Sequence, residues 1–268
     1  DVSYSIGANL TFYDQLWEKY AQNDDAVTLA NPNKRTTYKT IGQGDLIYIY
    51  DGLFRDANEL LNSPIQSAGT SMMAGDARYV DVNGDGAITD EDMIYDNKPR
   101  SAIMQWGIPF SLQWKAWSLE GLLQGSGRQY GILHNNIKGT GWNKIYYKDQ
   151  LDIYYPGNEN ARYPRADNDY GVWNGEYNRA ASALWRVNKT YARLKNLSIT
   201  YNFKYKLLKH VNWLSAASVS LTGTNLFTIC PSLKYGDPET GPINDTATVQ
   251  TAAYPTTRTF SVMVNLGF

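Results

Sequence analysis

The feature that most constrains the fold of this chain is a two-residue period of apolar and polar side chains, repeated along several long segments. The final segment, 258–268, shows it clearly: Phe260, Val262, Val264, Leu266 and Phe268 alternate with Thr259, Ser261, Met263, Asn265 and Gly267. Successive side chains of a β-strand point to opposite faces. The pattern therefore predicts a strand with one apolar face and one mostly polar face.

The same alternation predicts about seven strands in all. The other segments are 2–13, 102–114, 117–124, 197–203, 217–228 and a weaker candidate at 46–50. Most approach the roughly 9–11 residues that a tilted strand needs to cross a bilayer, whereas strands in soluble proteins average about 5–6 residues. The polar face carries Ser, Thr, Asn, Gln and Gly, where a water-exposed face would carry more Lys and Glu. We therefore expect an all-β fold, a transmembrane antiparallel β-barrel, in preference to a soluble sandwich.

Composition agrees with this fold class and excludes several others. The 21 Tyr and 8 Trp suit a surface that is apolar on one side and wet on the other. A net charge of −1 provides no broad basic surface, so no nucleic-acid partner is expected. The single cysteine, Cys230, excludes an internal disulfide. The chain opens directly in strand alternation without a signal peptide, so we expect it to be part of a longer exported protein.

The connections between the predicted strands alternate in length. The connections at 115–116 and 204–215 are short, whereas those at 51–101, 127–190 and 229–257 are long. Outer-membrane barrels have short periplasmic turns and long extracellular loops. If Phe268 lies at the periplasmic end, counting strands backwards places all three long connections outside the cell. We therefore predict three extracellular loops with these boundaries.

The first of these loops contains a calcium-loop motif, Asp81-Val82-Asn83-Gly84-Asp85-Gly86, closed by an acid at the twelfth position, Asp92. Such a loop offers Ca²⁺ oxygen ligands, and its central glycine permits a sharp turn. The predicted ligands are the side chains of Asp81, Asn83, Asp85 and Asp92 and the carbonyl of Ala87. The departure from an EF-hand is Asp92 in place of Glu. The alternative is an Asx-rich turn that holds no ion. No organic cofactor is expected.

The second loop is rich in rings and amides, which suit the half-apolar, half-polar surfaces of sugars and peptides. The candidate substrate-binding residues are Tyr154, Tyr155, Tyr163, Tyr170, Trp173 and Tyr177, and packing of the loop on itself is the alternative for each ring.

In the third loop, Asp237 and Glu239 place two carboxylates close together, which raises a glycosidase hypothesis. Neighbours in a proline-containing loop are more often turn-forming residues, so no catalytic constellation and no enzyme activity are predicted.

Several motifs, in order along the chain, resemble those of SusC/RagA-type TonB-linked outer-membrane transporters. The stretch 75–86, GDARYVDVNGDG, resembles the family's GD-x-x-Y-x-D-x-NGDG. The stretch 191–197, YARLKNL, is similar to its Y-x-RLKN-L strand, and 223–228, GTNLFT, to its G-x-NL-x-T. Asp237-Pro238-Glu239, Tyr254-Pro255, Arg258 and the terminal Phe268 complete the order. The resemblance covers nearly all of residues 1–268.

The resemblance implies a Gram-negative outer-membrane location and a barrel of about 22 strands around an N-terminal plug, of which this chain is the C-terminal part. It implies import of oligosaccharide or peptide fragments, with a SusD-like lipoprotein as a lid. The TonB complex would act through N-terminal parts outside this chain, and the barrel-assembly machinery would read Phe268. The main alternative is a non-transporting, calcium-binding extracellular β-protein such as a carbohydrate-binding module. A secreted glycoside hydrolase is a more distant one.

Overall fold

A computed structural model describes residues 2–16, 18, 46–66, 72–132, 151–165, 178, 180–233, 237–239 and 256–268. The strands are β1 (Val2–Ile6), β2 (Asn9–Phe12), β3 (Leu46–Ile47), β4 (Tyr50–Leu53), β5 (Ile65–Gln66), β6 (Ala77–Tyr79), β7 (Ala87–Ile88), β8 (Ile94–Tyr95), β9 (Met104–Trp114), β10 (Trp117–Gly127), β11 (Tyr130–Ile132), β12 (Arg186–Asn188), β13 (Tyr191–Asn202), β14 (Ala216–Ile229) and β15 (Thr259–Gly267). They are accompanied by a short helix, α1 (Ala57–Leu61), and by 3-10 turns at Asp90–Asp92, Ala183–Trp185 and Phe203–Tyr205. In this described part, no helix is long and apolar enough to cross a membrane.

The main sheet contains seven antiparallel strands in the order β1-β9-β10-β13-β14-β15, with β2 also paired to β9. From β9 to β15, each strand lies beside the previous strand of this sheet in the chain. The five strands of the main sheet from β9 onward are 9 to 14 residues long. The predicted all-β antiparallel fold is therefore confirmed, and so are the predicted strands at 102–114, 117–124, 197–203, 217–228 and 258–268.

The first predicted strand, 2–13, is divided in two by a proline on its partner. The amide of Gly7 donates to the carbonyl of Pro109 at 2.9 Å. Proline has no N–H to return a hydrogen bond, so the ladder is interrupted at this point. It resumes where Asn9 pairs with Gly107. β1 and β2 are therefore two parts of one edge strand.

The weaker prediction, that residues 46–50 form a strand of the main sheet, was wrong. β3 pairs instead with β8, and β4 pairs with β6, in separate two-stranded sheets. Ile47 and Tyr48 are buried. A strand buried in a folded connection shows the same short apolar run as a sheet strand, and alternation over five residues cannot distinguish the two.

The main sheet has one apolar and one polar face. One apolar row crosses six strands in register: Tyr4, Leu112, Leu119, Ile199, Leu221 and Val262. The adjacent row on the opposite face is polar throughout: Ser5, Ser111, Glu120, Ser198, Thr222 and Ser261. Ser198 and Thr222 are hydrogen-bonded across the strands at 3.0 Å. The predicted two-faced strands thus combine into a two-faced sheet.

Most of the buried apolar residues lie outside the main sheet, in the long connections. One cluster joins Tyr48, Ala77, Tyr79 and Ile88, and a second joins Ile47, Ile132 and Trp185. On the sheet itself the apolar side chains are exposed, including Leu221 at 50% and Val262 at 70%. A soluble protein buries the apolar face of its sheet. The distribution of apolar residues between the sheet and its connections is therefore the reverse of that in a soluble protein.

Candidate functional site

The polar face of the sheet forms the floor of a cavity of about 590 Å³. Two neighbouring rows of partnered residues cross β2, β9, β10 and β13 beneath it. One row is Thr11, Gln105, Ser126 and Tyr191, and the other is Asn9, Gly107, Gln124 and Arg193. All of these except Arg193 line the cavity. Pro238 and Glu239, from the connection between β14 and β15, line it as well.

Gly107 carries no side chain between Asn9 and Gln124 in the second row, and the side chain of Asn9 lies in the space above it. A Cβ atom at Gly107 would lie 2.8 Å from Oδ1 of Asn9 and 3.3 Å from its Nδ2. The amide of Asn9 therefore occupies the space over the glycine, and a larger residue at this position would clash with it.

An ion-pair network attaches residues 237–239 to the sheet; we call it the Arg193 clasp and define it as Arg193, Lys195, Asp237 and Glu239. Arg193 and Asp237 are buried, and Glu239 and Lys195 are partly exposed. Nη2 of Arg193 donates to both carboxylate oxygens of Asp237, each at 2.8 Å. Nη1 of Arg193 and Nζ of Lys195 each lie 2.8 Å from Oε2 of Glu239. Gln124 donates to Oε1 of Glu239 at 2.7 Å. Side chains from β10 and β13 thus hold both carboxylates against the polar face.

Two threonines complete the contacts of the clasp arginine. Nε of Arg193 donates to Oγ1 of Thr228 at 2.7 Å, and Nη1 donates to Oγ1 of Thr256 at 3.0 Å. Thr256 also donates its hydroxyl to Asp237. The guanidinium, only 2% exposed, is therefore surrounded by acceptors, as a buried arginine requires.

The electrostatics of the clasp do not fit the glycosidase hypothesis for Asp237 and Glu239. Burial alone would raise the pKa of Asp237, but hydrogen bonds from Thr256, the Glu239 amide and Arg193 outweigh it and lower the pKa. For Glu239, burial is likewise outweighed by Lys195 and Arg193, and its pKa is also lowered. A glycosidase pair needs one carboxyl whose pKa is raised so that it can act as an acid. Here hydrogen bonds and neighbouring cations favour the anionic form of both groups.

The motif at 75–86 connects the first long connection to the second. Gly75 has φ +90°, and a Cβ there would lie 2.2 Å from the ring of Tyr154, so only glycine fits. Asp76 is fully buried and accepts from Nε of Arg165 at 2.7 Å and from Nδ2 of Asn178 at 2.8 Å. Tyr79 stacks on Tyr48 with ring centroids 4.9 Å apart. The beginning of the motif therefore organises the folded connections.

The calcium-loop residues form a tight turn held by backbone amides. Asp81 accepts from the amides of Gly84 at 2.6 Å and Gly86 at 2.8 Å, and these bonds lower its pKa, with Gly86 the larger cause. Gly86 has φ +86°, which confirms the predicted sharp turn. The fully buried Asp92 accepts from the amide of Val82 at 2.8 Å and so closes the loop. Among the described residues, no three His, Cys, Asp or Glu side chains converge as a metal group. Calcium would therefore have to draw the carboxylates together.

Calcium binding at Asp81, Asn83, Asp85, Ala87 and Asp92 stays a prediction. We expect Ca²⁺ at 100 times its dissociation constant to stabilise the loop by about 2.7 kcal/mol, because it binds the folded loop alone. The measurement is protection of residues 75–95 from proteolysis in the full-length protein, with Ca²⁺ or EGTA. Asp81→Asn combined with Asp85→Asn should abolish the protection. Glu91→Gln, a neighbouring acid outside the ligand set, is the control, and equal proteolysis with and without Ca²⁺ would refute the site.

The structure describes three of the six aromatic residues predicted to bind substrate. Tyr154 packs on Gly75 and donates its hydroxyl to the carbonyl of Arg55 at 2.8 Å. Tyr163 stacks on Trp185 with centroids 5.6 Å apart. Tyr155 is 54% exposed. Two of these rings thus contribute to packing, the alternative raised from the sequence, and substrate contact stays a prediction. Tyr170, Trp173 and Tyr177 lie outside the described residues.

Most of the residues around the cavity were not identified from the sequence, although Pro238 and Glu239 were noted in the third loop and Tyr191 in a strand motif. Asn9, Gly107 and Gln124 carry no motif of their own, and Arg193 was noted only within a strand motif. The short turn at 115–116 did offer a signal, because pairing of Trp114 with Trp117 sets the register that places Gln124 opposite Gly107. Counting along this hairpin would have predicted that the amide side chains of β9 and β10 lie close together on one face.

The chain was compared with known proteins. No family model and no curated protein matches it. Among solved structures, it is similar to the RagAB peptide importer in the open-open state, with a TM-score of 0.66 and 18% identity over 100% of this chain and 27% of that one. A structure of the RagAB peptide transporter gives 0.66 and 17% identity, covering 99% of this chain and 26% of that one. The closed-closed RagAB importer gives 0.61 and 18%, covering 99% and 27%.

These likenesses confirm the predicted fold class. The antiparallel sheet with its long connections matches part of the barrel fold of the RagAB structures. The chain spans about a quarter of the length of those chains.

Proposed function

We propose that this chain forms part of the wall and the outer loops of an outer-membrane transporter of the SusC/RagA kind that imports peptide fragments. The observation that supports the proposal most is the reversed distribution of apolar residues. The sheet leaves its apolar face exposed, while the buried cores lie in the connections. The likeness to the RagAB fold supports the same conclusion.

A lipid bilayer accounts for both faces of the sheet. Lipid tails cover an apolar face at no cost, and a closed antiparallel sheet satisfies all of its backbone hydrogen bonds. The polar face then borders the lumen of the barrel. Three aromatic residues lie in register beside the turn at 115–116, as expected of an aromatic girdle at one membrane interface; they are Trp114, Trp117 and Tyr201. This end faces the periplasm, and the connections 51–101, 127–190 and 229–257 are extracellular loops.

Transport gives the remaining features a role without catalysis. The loops and a SusD-like lipoprotein lid would enclose the substrate, and the uncharged hydroxyls and amides of the polar face would let it pass without tight binding. TonB would supply the energy through a plug domain encoded elsewhere in the same protein. Peptides are the preferred substrate because the similar structures are of peptide importers.

The carbohydrate-binding module is the less favourable alternative. A water-soluble module would have to cover the row that contains Leu112, Ile199 and Leu221, and all three side chains are exposed. Large exposed apolar surfaces are rare on soluble monomers. Solubility of the full-length protein in water without detergent would revive this alternative.

Uptake by cells tests the proposal. We expect cells that express the full-length protein with its lid lipoprotein to accumulate a fluorescently labelled mixture of short peptides, and deletion of either gene to abolish the uptake. A protonophore should also abolish it, because TonB uses the proton gradient. Labelled maltooligosaccharides of similar mass are the control substrate. Accumulation of the sugars alone would overturn the peptide assignment, and accumulation of neither would overturn the transport function.

A further inference from the structure

The two short connections at one end of the main sheet are unusually basic. Residues 115–116 and 203–215 contain four lysines and one histidine but no Asp or Glu: Lys115, Lys204, Lys206, Lys209 and His210. The chain as a whole has a net charge of −1. This end of the sheet therefore carries a charge of opposite sign to that of the whole chain.

The two connections lie side by side and form one surface. The amide of Asn202 donates to the carbonyl of Ala116 at 2.8 Å, so the end of β13 is bonded to the first connection. The ring of Tyr201 packs edge-on against Trp117 with centroids 4.7 Å apart. It also packs edge-on against Phe203, with centroids 4.9 Å apart. A row of rings therefore runs from one connection to the next.

Three of the four lysines extend from this surface into solvent. Lys115, Lys206 and Lys209 are exposed, and none of them belongs to an ion pair in the part of the chain that the structure describes. The fourth, Lys204, donates to the carbonyl of Val211 at 2.6 Å and so holds the second connection in its folded form. The three exposed ammonium groups are therefore in a position to contact an external anion.

Exposed apolar side chains lie beside these lysines. Leu207 is 66% exposed and Trp213 is 69% exposed. Trp213 stacks on Phe268 with centroids 5.8 Å apart, and Phe268 continues the apolar face of β15. Nζ of Lys115 lies 5.0 Å from the ring centroid of Trp114. Rings and aliphatic chains next to ammonium groups are typical of protein surfaces that lie at the level of lipid headgroups.

From these contacts we infer that this surface binds anionic phospholipid headgroups of the periplasmic leaflet. We call it the lysine patch and define it as Lys115, Lys206, Leu207, Lys209, Trp213 and Phe268. The inference rests on the proposed function, because it requires the sheet to span a membrane with this end at the periplasm. The lysines donate to the lipid phosphates, while the rings and Leu207 contact the first part of the acyl chains. A zwitterionic headgroup has no net charge, so it balances the lysines less well.

The position of the lysine patch favours lipid over an acidic protein as its partner. Phe268 lies on the same face of β15 as Val262, in the exposed apolar row of the sheet. The apolar part of the patch is therefore continuous with the surface that is proposed to face the lipid tails. The lysines lie just beyond the end of that surface, where the headgroups begin.

The test is binding of palmitoyl-oleoyl phosphatidylglycerol to the purified full-length protein in detergent, titrated by native mass spectrometry. Zwitterionic palmitoyl-oleoyl phosphatidylcholine is titrated beside it, and we expect the parent protein to bind phosphatidylglycerol more tightly. Lys206→Gln combined with Lys209→Gln should raise the dissociation constant for phosphatidylglycerol at least tenfold, because each lysine near an anionic surface contributes roughly a factor of five. Binding of phosphatidylcholine should stay the same.

Two further variants distinguish local charge from other effects. Lys206→Arg combined with Lys209→Arg keeps both charges and should bind phosphatidylglycerol as the parent protein does. Lys98→Gln combined with Arg162→Gln removes two exposed cations from the long connections and should also leave binding unchanged. Heat-modifiable gel mobility shows whether each variant is folded. If the glutamine variant does not fold, high salt provides the second measurement, since it should weaken phosphatidylglycerol binding by the parent protein through screening.

Three results would overturn the inference: equal binding of the two lipids by the parent protein, unchanged phosphatidylglycerol binding by the folded glutamine variant, or an equal loss in the variant of Lys98 and Arg162. Its failure is distinguishable from failure of the proposed function. A protein that folds as a barrel in detergent and shows no preference for phosphatidylglycerol refutes the lipid site alone. Preference for phosphatidylglycerol without peptide import refutes only the transport proposal.

Discussion

Replacing Leu221 with lysine is expected to destabilise the folded barrel by about 2–4 kcal/mol, the cost of a lysine facing lipid near the bilayer midplane. Leu221 lies near the middle of β14, between Ile199 on β13 and Val262 on β15 in the apolar row. The ammonium group would lie among lipid tails without a partner. The measurement is urea unfolding of the full-length protein in lipid vesicles, followed by heat-modifiable gel mobility.

The neighbouring residue provides a matched control. Thr222 has the same depth in the sheet but lies on the polar face, where it is hydrogen-bonded to Ser198. A lysine there would reach the water-filled lumen, on the same face as Glu120. We expect Thr222→Lys to cost less than about 1 kcal/mol, the net value of one lost hydrogen bond. Equal destabilisation by both lysines would show that the apolar face does not contact lipid.

Much of the sheet could be predicted from the sequence because its strands are long and carry apolar side chains on one face and polar side chains on the other. Over ten residues, alternation identifies both the strand and its faces, as in 102–114 and 217–228. It failed over five residues at 46–50, where folding of the connection decides which strand β3 joins. The interruption of the ladder at Gly7 could not be predicted from local alternation, because it depends on Pro109 lying opposite on the partner strand.

The cavity was less predictable, because its residues come together through registers that a sequence does not show. The register of β9 and β10 follows from the short turn, but that of β13 depends on a long connection and on a bulge. The pairing of β13 shifts between Leu194 and Asn196, so Lys195 is an extra residue. Simple alternation from Leu197 and Ile199 would place Arg193 and Lys195 on the apolar face. The bulge moves Arg193 to the polar face, where it and Lys195 both reach Glu239.

Replacing Arg193 with methionine is expected to release residues 237–239 from the sheet. The substitution leaves the buried Asp237 carboxylate without its cation, and breaking a buried ion pair in this way costs about 3–5 kcal/mol. Because the clasp holds a connection and not the sheet, the strands should remain folded while the connection opens. The measurement is limited proteolysis of the full-length protein between residues 234 and 257, which should accelerate at least tenfold without loss of heat-modifiable mobility.

Neutralising the carboxylates provides the control for this prediction. Asp237→Asn and Glu239→Gln added to Arg193→Met remove the uncompensated charges and should restore much of the protection. The pH dependence of the proteolysis rate also tests whether the uncompensated carboxylate charge is the cause. Hydrogen bonds from Thr256, the Glu239 amide and Arg193 lower the pKa of Asp237 in the folded protein, and Lys195 and Arg193 lower that of Glu239. The parent clasp is therefore complete at neutral pH and weakens as pH falls below the unfolded values of about 3.9 and 4.3. In Arg193→Met the carboxyls can protonate at low cost, so its rate of proteolysis should approach that of the parent protein as pH falls from 7 to 4. A rate difference that is independent of pH would assign the effect of Arg193 to packing, and the ion-pair account of the clasp would then be wrong.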